Sequence, residues 1–187
     1  MGPYYVTTLV EVFGQATRVT ATSSKSQEVR VVGSGPKKGT SFPVEEPTQI
    51  TALIEFSSGA SAVSIFSFEA AHEVTGFVEI TGSKGAITFP DPNNFDGENV
   101  IYQPDQEPKK LPAAGNKHGR GLGALNMMQS FLAGKTHIAS AELGNHVLDI
   151  LISISESAAR KESVAVVSTL SNNATLDPDW DPLRRSS

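Results

Sequence analysis

The sequence predicts an α+β fold, a two-layer sandwich in which a large, mostly antiparallel sheet carries helices on one face. Three observations carry that expectation. Helical periodicity is confined to residues 3–13 and to two stretches between 122 and 159, while alternating apolar and polar runs fill 16–32, 48–68 and 76–89. The central runs are joined by turns as short as Ser57-Ser58-Gly59 and Gly82-Ser83-Lys84-Gly85. Connections this short close antiparallel hairpins; a parallel pairing needs a crossover of a dozen residues or more.

Residues 3–13 place Tyr5, Val6, Leu9, Val12 and Phe13 on one helical face, with Pro3 suited to the first turn and Gly14 where a C-terminal cap belongs. No Ser, Thr, Asp or Asn stands ahead of this helix as a cap, which leads us to expect that a longer chain once continued upstream. Val19, Ala21, Val29 and Val31 mark strands within 16–32, and a Gly/Pro/Lys loop covers 33–40. Residues 48–56 and 60–68 form a hairpin with Ile50, Ala52, Ile54 and Phe56 on one side, and 76–81 with 86–89 form a second. Residues 90–97 read as a loop, 100–102 as a short edge strand and 103–117 as a polar connection. A second helix is expected over 122–132 from Leu122, Leu125, Met128, Phe131 and Leu132. The third carries a broad apolar face from Leu143 to about Ala159; Ser140 stands two residues before Glu142, so the two do not complete a capping box. Residues 164–167 form a last strand, and the domain is expected to span 1–170 with an extended tail over 171–187.

Composition narrows the function. With 187 residues, 39% of them hydrophobic, the chain has the length and apolar content for one core. A net charge of −5 with scattered Lys and Arg gives no footprint for nucleic acid. The absence of cysteine excludes disulfides, thiolate metal sites and cysteine nucleophiles. No apolar run approaches the ~18–20 residues of a membrane span and no secretory leader is visible, so a cytoplasmic location with no membrane partner is expected. The four histidines, His72, His118, His137 and His146, are not spaced as a helical metal pair, and His146 reads as a core-edge residue bonded locally. No Gly-x-Ser-x-Gly elbow is present for a serine nucleophile. Gly119-Arg120-Gly121-Leu122-Gly123 opens a helix but follows a loop rather than a strand, so it reads as a helix entry and not as a dinucleotide cradle.

Four residues are candidates to line a small-molecule cleft: Glu69 and His72, which follow a strand end and could point together into it, and Arg120 and His137; the alternative for each is a solvated loop position. Tyr4 and Tyr5 begin the first helix, where aromatic packing is the ordinary role. Tyr4 has a further use, since a phenol can donate or accept one proton in acid/base chemistry on a carbinol.

Taken in order, Gly2-Pro3-Tyr4-Tyr5-Val6-Thr7, Phe42-Pro43-Val44, residues 48–56 with Ser58-Gly59, and Ile80-Thr81-Gly82-Ser83-Lys84-Gly85 form a co-linear series. It continues through Pro90-Asp91-Pro92-Asn93, Arg120-Gly121-Leu122, Ala139-Ser140-Ala141-Glu142-Leu143 and His146-Val147-Leu148-Asp149. This series resembles the C-terminal domain of the Gfo/Idh/MocA oxidoreductases. The resemblance implies a substrate-binding and oligomerising half that acts with an N-terminal Rossmann domain holding NAD or NADP, on a sugar, polyol or related carbinol. It places Tyr4 at the family's catalytic histidine or tyrosine position, while the partner aspartate, the catalytic lysine and the Rossmann domain are absent from this sequence. The chain alone is therefore expected to bind no cofactor and to be inactive, because positioning cofactor against substrate is worth ~7–11 kcal/mol of a barrier. A homo-oligomer formed through the sheet face is the expected partner. Two other readings stand beside this one: a stand-alone carbohydrate-binding or scaffolding module, and a half-enzyme completed in trans by a Rossmann partner.

Overall fold

The structure, a computed structural model, describes residues 1–70, 72, 76–112, 119–171, 175–177 and 179–183. Helix α1 (Gly2–Phe13) leads into strand β1 (Ala16–Ser24), followed by β2 (Val29–Val31), β3 (Ser41–Pro43), β4 (Gln49–Phe56), β5 (Ser61–Ser67), β6 (Val78–Gly82), β7 (Gly85–Phe89), β8 (Asn99–Tyr102) and β9 (Lys109–Leu111). Helices α2 (Leu122–Leu132) and α3 (Ala141–Arg160) precede the short strand β10 (Val164–Ala165). Every strand pairing among them is antiparallel. The expected α+β architecture is present, but the large sheet is divided. One sheet has the order β10-β1-β4-β5, a second is the pair β2-β3, and a third has the order β6-β7-β8-β9.

The core lies between the first sheet and the two helices α1 and α3. Val6, Leu9 and Val10 of α1 meet Val19 of β1, Ala52, Ile54 and Phe56 of β4, and Leu143, Val147, Ile150 and Ile154 of α3. Phe13 packs its ring 5.2 Å from that of Phe56. Val12, expected on the buried face, is 46% exposed, because it lies about 120° round the helix from Val6 at 3.6 residues per turn.

Helix α3 is fastened to β1 by two polar side chains set in its apolar stripe. The Ala16 amide donates to His146 Nε2 over 3.0 Å, and the Ala21 amide donates to Ser157 Oγ over 2.9 Å. Strand β10 pairs only with Arg18 and Val19, so these two amides flank the stretch of β1 that β10 covers. The side chains supply the acceptors that a longer strand would have offered. Eleven helical steps of 1.5 Å and five strand steps of 3.3 Å both come to about 16.5 Å, so helix and strand keep step between the two anchors. His146 is thus fully buried and bonded across the fold rather than locally.

Strand β8 pairs with both β7 and β9 and is interior, not an edge as the sequence suggested. The edge is β9, within the stretch read as a polar connection; its lysines are what concealed it, and Lys110 pairs with Glu98 at 2.7 Å. Charged residues of this kind are common on edge strands, where they discourage further pairing. On the side of the first sheet away from the helices, Leu53, Val63 and Ile65 are 39%, 70% and 66% exposed, and Leu53 stands opposite Val63 across the ladder. No helix among the described residues is long and apolar enough to cross a membrane.

Candidate functional site

The first turn of α1 presents two tyrosines in different directions. Val6, Leu9 and Val10 fix the buried side of the helix. Tyr4 points outward, 44% exposed, and Thr8 Oγ1 donates to its carbonyl over 3.0 Å. Tyr5 is half-buried, and its hydroxyl donates to Asp91 Oδ1 over 2.8 Å. Burial, then the hydrogen bond to Asp91 and the charge of that carboxylate, push the Tyr5 phenol up to about 12. It is a neutral donor at any ordinary pH.

Asp91 organises the loop that follows β7. Its carboxylate also accepts from the Asn93 amide at 2.9 Å and from Asn94 Nδ2 at 3.4 Å, and its carbonyl accepts from the Asn94 amide at 2.9 Å. This is the Asx-type turn to which aspartate is suited. Two glycines permit the arrangement. A Cβ on Gly76 would lie 1.6 Å from Tyr5 Oη, and one on Gly97, where φ is +122°, would lie 2.5 Å from Pro90 Cβ. Farther along the same loop Phe95 is 53% exposed, and the Arg120 guanidinium carbon sits 5.9 Å from its ring centroid. An exposed cation–π contact of this type is worth about 0.5–1 kcal/mol.

Of the five residues singled out in the sequence, Tyr4 and Arg120 thus lie on segments joined through the Tyr5–Asp91 and Phe95–Arg120 contacts. Glu69 is engaged with other elements. Glu69, just past β5, accepts from Ser26 Oγ, from Thr48 Oγ1 and from Arg30 Nη2, the last at 3.5 Å. Arg30 also donates to the Phe68 carbonyl at 2.7 Å. The Glu69 carboxylate therefore ties the β2-β3 arm to the first sheet, and none of these bonds goes to His72, which is exposed. His137 is half-buried between α2 and α3, with Nδ1 enclosed and without a hydrogen-bond partner among the described residues. His118 lies outside the described residues. Among those described, no three His, Asp or Glu side chains are grouped to hold a metal ion.

Sequence reasoning passed over Tyr5, Asp91 and Phe95. The signal for Asp91 was present in Pro90-Asp91-Pro92-Asn93, a strong turn sequence, but nothing in it names the tyrosine 86 positions earlier as its partner. Nor do the described residues fit a dinucleotide. A pyrophosphate is ordinarily held at a parallel β-α-β turn, whereas every ladder here is antiparallel. A Cβ added to Gly119, Gly121 or Gly123, ahead of and at the start of α2, would meet nothing within 4 Å, and of the three only Gly121, with φ at +93°, has a backbone that favours glycine.

The fold is that of one half of several oxidoreductases. An NAD binding oxidoreductase from Klebsiella pneumoniae superimposes with a TM-score of 0.72 at 21% identity, over 89% of this chain and 49% of that one. The apo form of levoglucosan dehydrogenase gives 0.68 at 21% identity, over 89% and 50%. Aldose-aldose oxidoreductase from Caulobacter crescentus, complexed with glycerol, gives 0.67 at 20% identity, over 88% and 45%. The chain therefore spans about half the length of these structures. No curated protein sequence matches it. Residues 1–88 match the family model for the GFO/IDH/MocA C-terminal domain, the family that the sequence resembles.

Proposed function

We propose that this chain is the substrate-side half of an NAD(P)-dependent oxidoreductase acting on a sugar, polyol or related carbinol. The observation that carries the reading is the exposed Tyr4 phenol on the first turn of α1, within the segment that matches the family. The Asp91 loop and Arg120 belong to the same corner. In this reading Tyr4 Oη exchanges a proton with the reacting hydroxyl, and the Arg120 guanidinium donates to neighbouring substrate oxygens. Glu69, already engaged in the fold, has no part in it. The nucleotide is held by a further Rossmann domain or a partner supplying one, and no step of the redox chemistry is assigned to these residues. The sugar class is supported by the similar levoglucosan dehydrogenase, solved in complex with NADH and L-sorbose and with NADH and levoglucosan.

A second copy of this chain is proposed to cover Leu53, Val63 and Ile65, because a sheet face with adjoining apolar side chains is commonly buried by association. The test is a calorimetric titration of the 187-residue chain with levoglucosan, L-sorbose, NAD and NADP, with its mass read in parallel by sedimentation. Heat from a sugar, none from either nucleotide, and a dimer or larger species are expected. Clear nucleotide binding, or turnover by this chain alone, would overturn the half-enzyme reading.

A further inference from the structure

Tyr5 stands next to the proposed proton-transfer residue, yet its own chemistry excludes it from that role. A phenol held up near 12 neither gives nor takes a proton at ordinary pH, and its single donor is already committed to Asp91. What the bond does accomplish is geometric. It joins the first turn of α1 to a loop 86 residues away in sequence, at a point where Gly76 leaves no room for a Cβ beside the hydroxyl. Three segments therefore meet at one oxygen.

Asp91 carries that constraint onward. The carboxylate that accepts from Tyr5 also accepts from the Asn93 amide and from Asn94 Nδ2, so the phenol and the turn share one anchor. Phe95 follows Asn94 directly, with Arg120 against its ring. Successive helical residues differ by about 100° in direction, so fixing Tyr5 inward against Asp91 also fixes the outward heading of Tyr4.

We propose that Tyr5 and Asp91 are a positioning pair: their bond holds the 90–97 loop, and with it Phe95 and Arg120, in register with Tyr4. The functional side of this proposal rests on the reading of the Tyr4 corner as the substrate cleft. The geometric side stands independently, and the experiment separates the two.

Three variants of the full chain serve: Tyr5→Phe, which removes the donor; Asp91→Leu, which removes the acceptor; and Asp91→Asn, whose amide oxygen can still accept. Nuclear Overhauser contacts between the Phe95 ring and the Arg120 side chain report the loop position, and a levoglucosan titration reports the cleft. Both are read alongside the thermal midpoint. Tyr5→Phe and Asp91→Leu are expected to lose the Phe95–Arg120 contact and to bind levoglucosan about three- to tenfold more weakly, the range that one net hydrogen bond supplies. Asp91→Asn is expected to restore most of both. A purely structural pair would lower the midpoint of every variant while leaving the contact and the affinity of the folded protein unchanged, and that result would overturn the proposal, as would persistence of the contact in Tyr5→Phe. If the unaltered chain fails to bind levoglucosan, the cleft reading falls, and loss or retention of the Phe95–Arg120 contact still decides whether the pair positions the loop.

Discussion

Helix α3 buries Leu143, His146, Val147, Ile150, Ser153, Ile154 and Ser157, whereas helix α2 buries none of its residues. In the sequence both carry an apolar stripe at helical spacing. In the fold, the α3 stripe lies on β1 and α1, and its first turn is capped by Ser140 Oγ, which accepts from the Leu143 amide at 3.1 Å. Helix α2 is held from its polar positions instead: Trp180 Nε1 donates to Gln129 Oε1 at 3.0 Å, and the Ile138 amide donates to Asn126 Oδ1 at 3.4 Å. Its Met128, Phe131 and Leu132 are 58%, 77% and 76% exposed. Periodicity specifies that a helix has an apolar side; what occupies that side depends on tertiary contacts the period does not encode.

The largest effect that would sharpen this contrast is expected at Ile150, which has no exposed surface and belongs to the core that α3 shares with residues of α1, β1 and β4. Ile150→Ala removes buried methyl and methylene groups from a site enclosed on several sides. It is expected to destabilise the chain by about 2–5 kcal/mol, read from the midpoint shift in urea. A cost below about 1 kcal/mol would mean that the α3 interface is loose and that the two helices differ less than the structure shows.

A smaller effect tests the polar anchors of α3. His146 accepts from the Ala16 amide through Nε2, so its proton resides on Nδ1, 2.8 Å from Ser168 Oγ. Burial holds its pKa below the ordinary 6.5, although Asp149, Ser168 and Glu142 act in the opposite direction. At Asp149 burial raises the pKa, but the bonds from Ser168 and Val167, together with His146, outweigh it and leave the carboxyl below its usual 3.8. Both groups therefore bind protons less readily when folded than when unfolded. The His146 contribution is fully present above about pH 6.5 and is lost as pH falls from there toward the depressed folded value. The Asp149 contribution is lost at lower pH, below the ordinary carboxylate range. Unfolding free energy is thus expected to fall between pH 7 and pH 5 in the unaltered chain, with a flatter limb in His146→Gln. An equally steep limb in His146→Gln would show that this anchor does not govern the acid response.

How much of this was legible in the sequence follows from the same contrast. Alternation with short glycine turns specified β4-β5 and β6-β7, because both hairpins are local and their inward residues Ala52, Ile54 and Phe56 all face the core. Strand β9 was concealed by its lysines, and the division of the sheet was invisible because no local pattern records which strand ends where another begins. At the candidate site Tyr4 and Arg120 were legible as reactive or charged residues near helix starts. The Tyr5–Asp91 bond was not, because a contact across 86 positions has no periodic trace. His146 was read as bonded locally for a similar reason: its partner Ala16 lies 130 positions away.

The smallest effect bears on α2 itself. At 77% exposure Phe131 has little apolar surface left to gain or lose on folding, and its replacement leaves no cavity. Phe131→Ser exchanges an aromatic side chain for a hydroxyl that water can satisfy, at a position where the two residues have similar helical propensity. The unfolding free energy is expected to change by no more than about 0.5 kcal/mol, as for surface substitutions generally. Solubility should rise, since Met128, Phe131 and Leu132 lie close together on the exposed side. A loss of about 2 kcal/mol or more, on the scale of a core truncation, would show that Phe131 is buried in solution. The apolar stripe of α2 would then have a partner as that of α3 does, and the difference between the two helices would disappear.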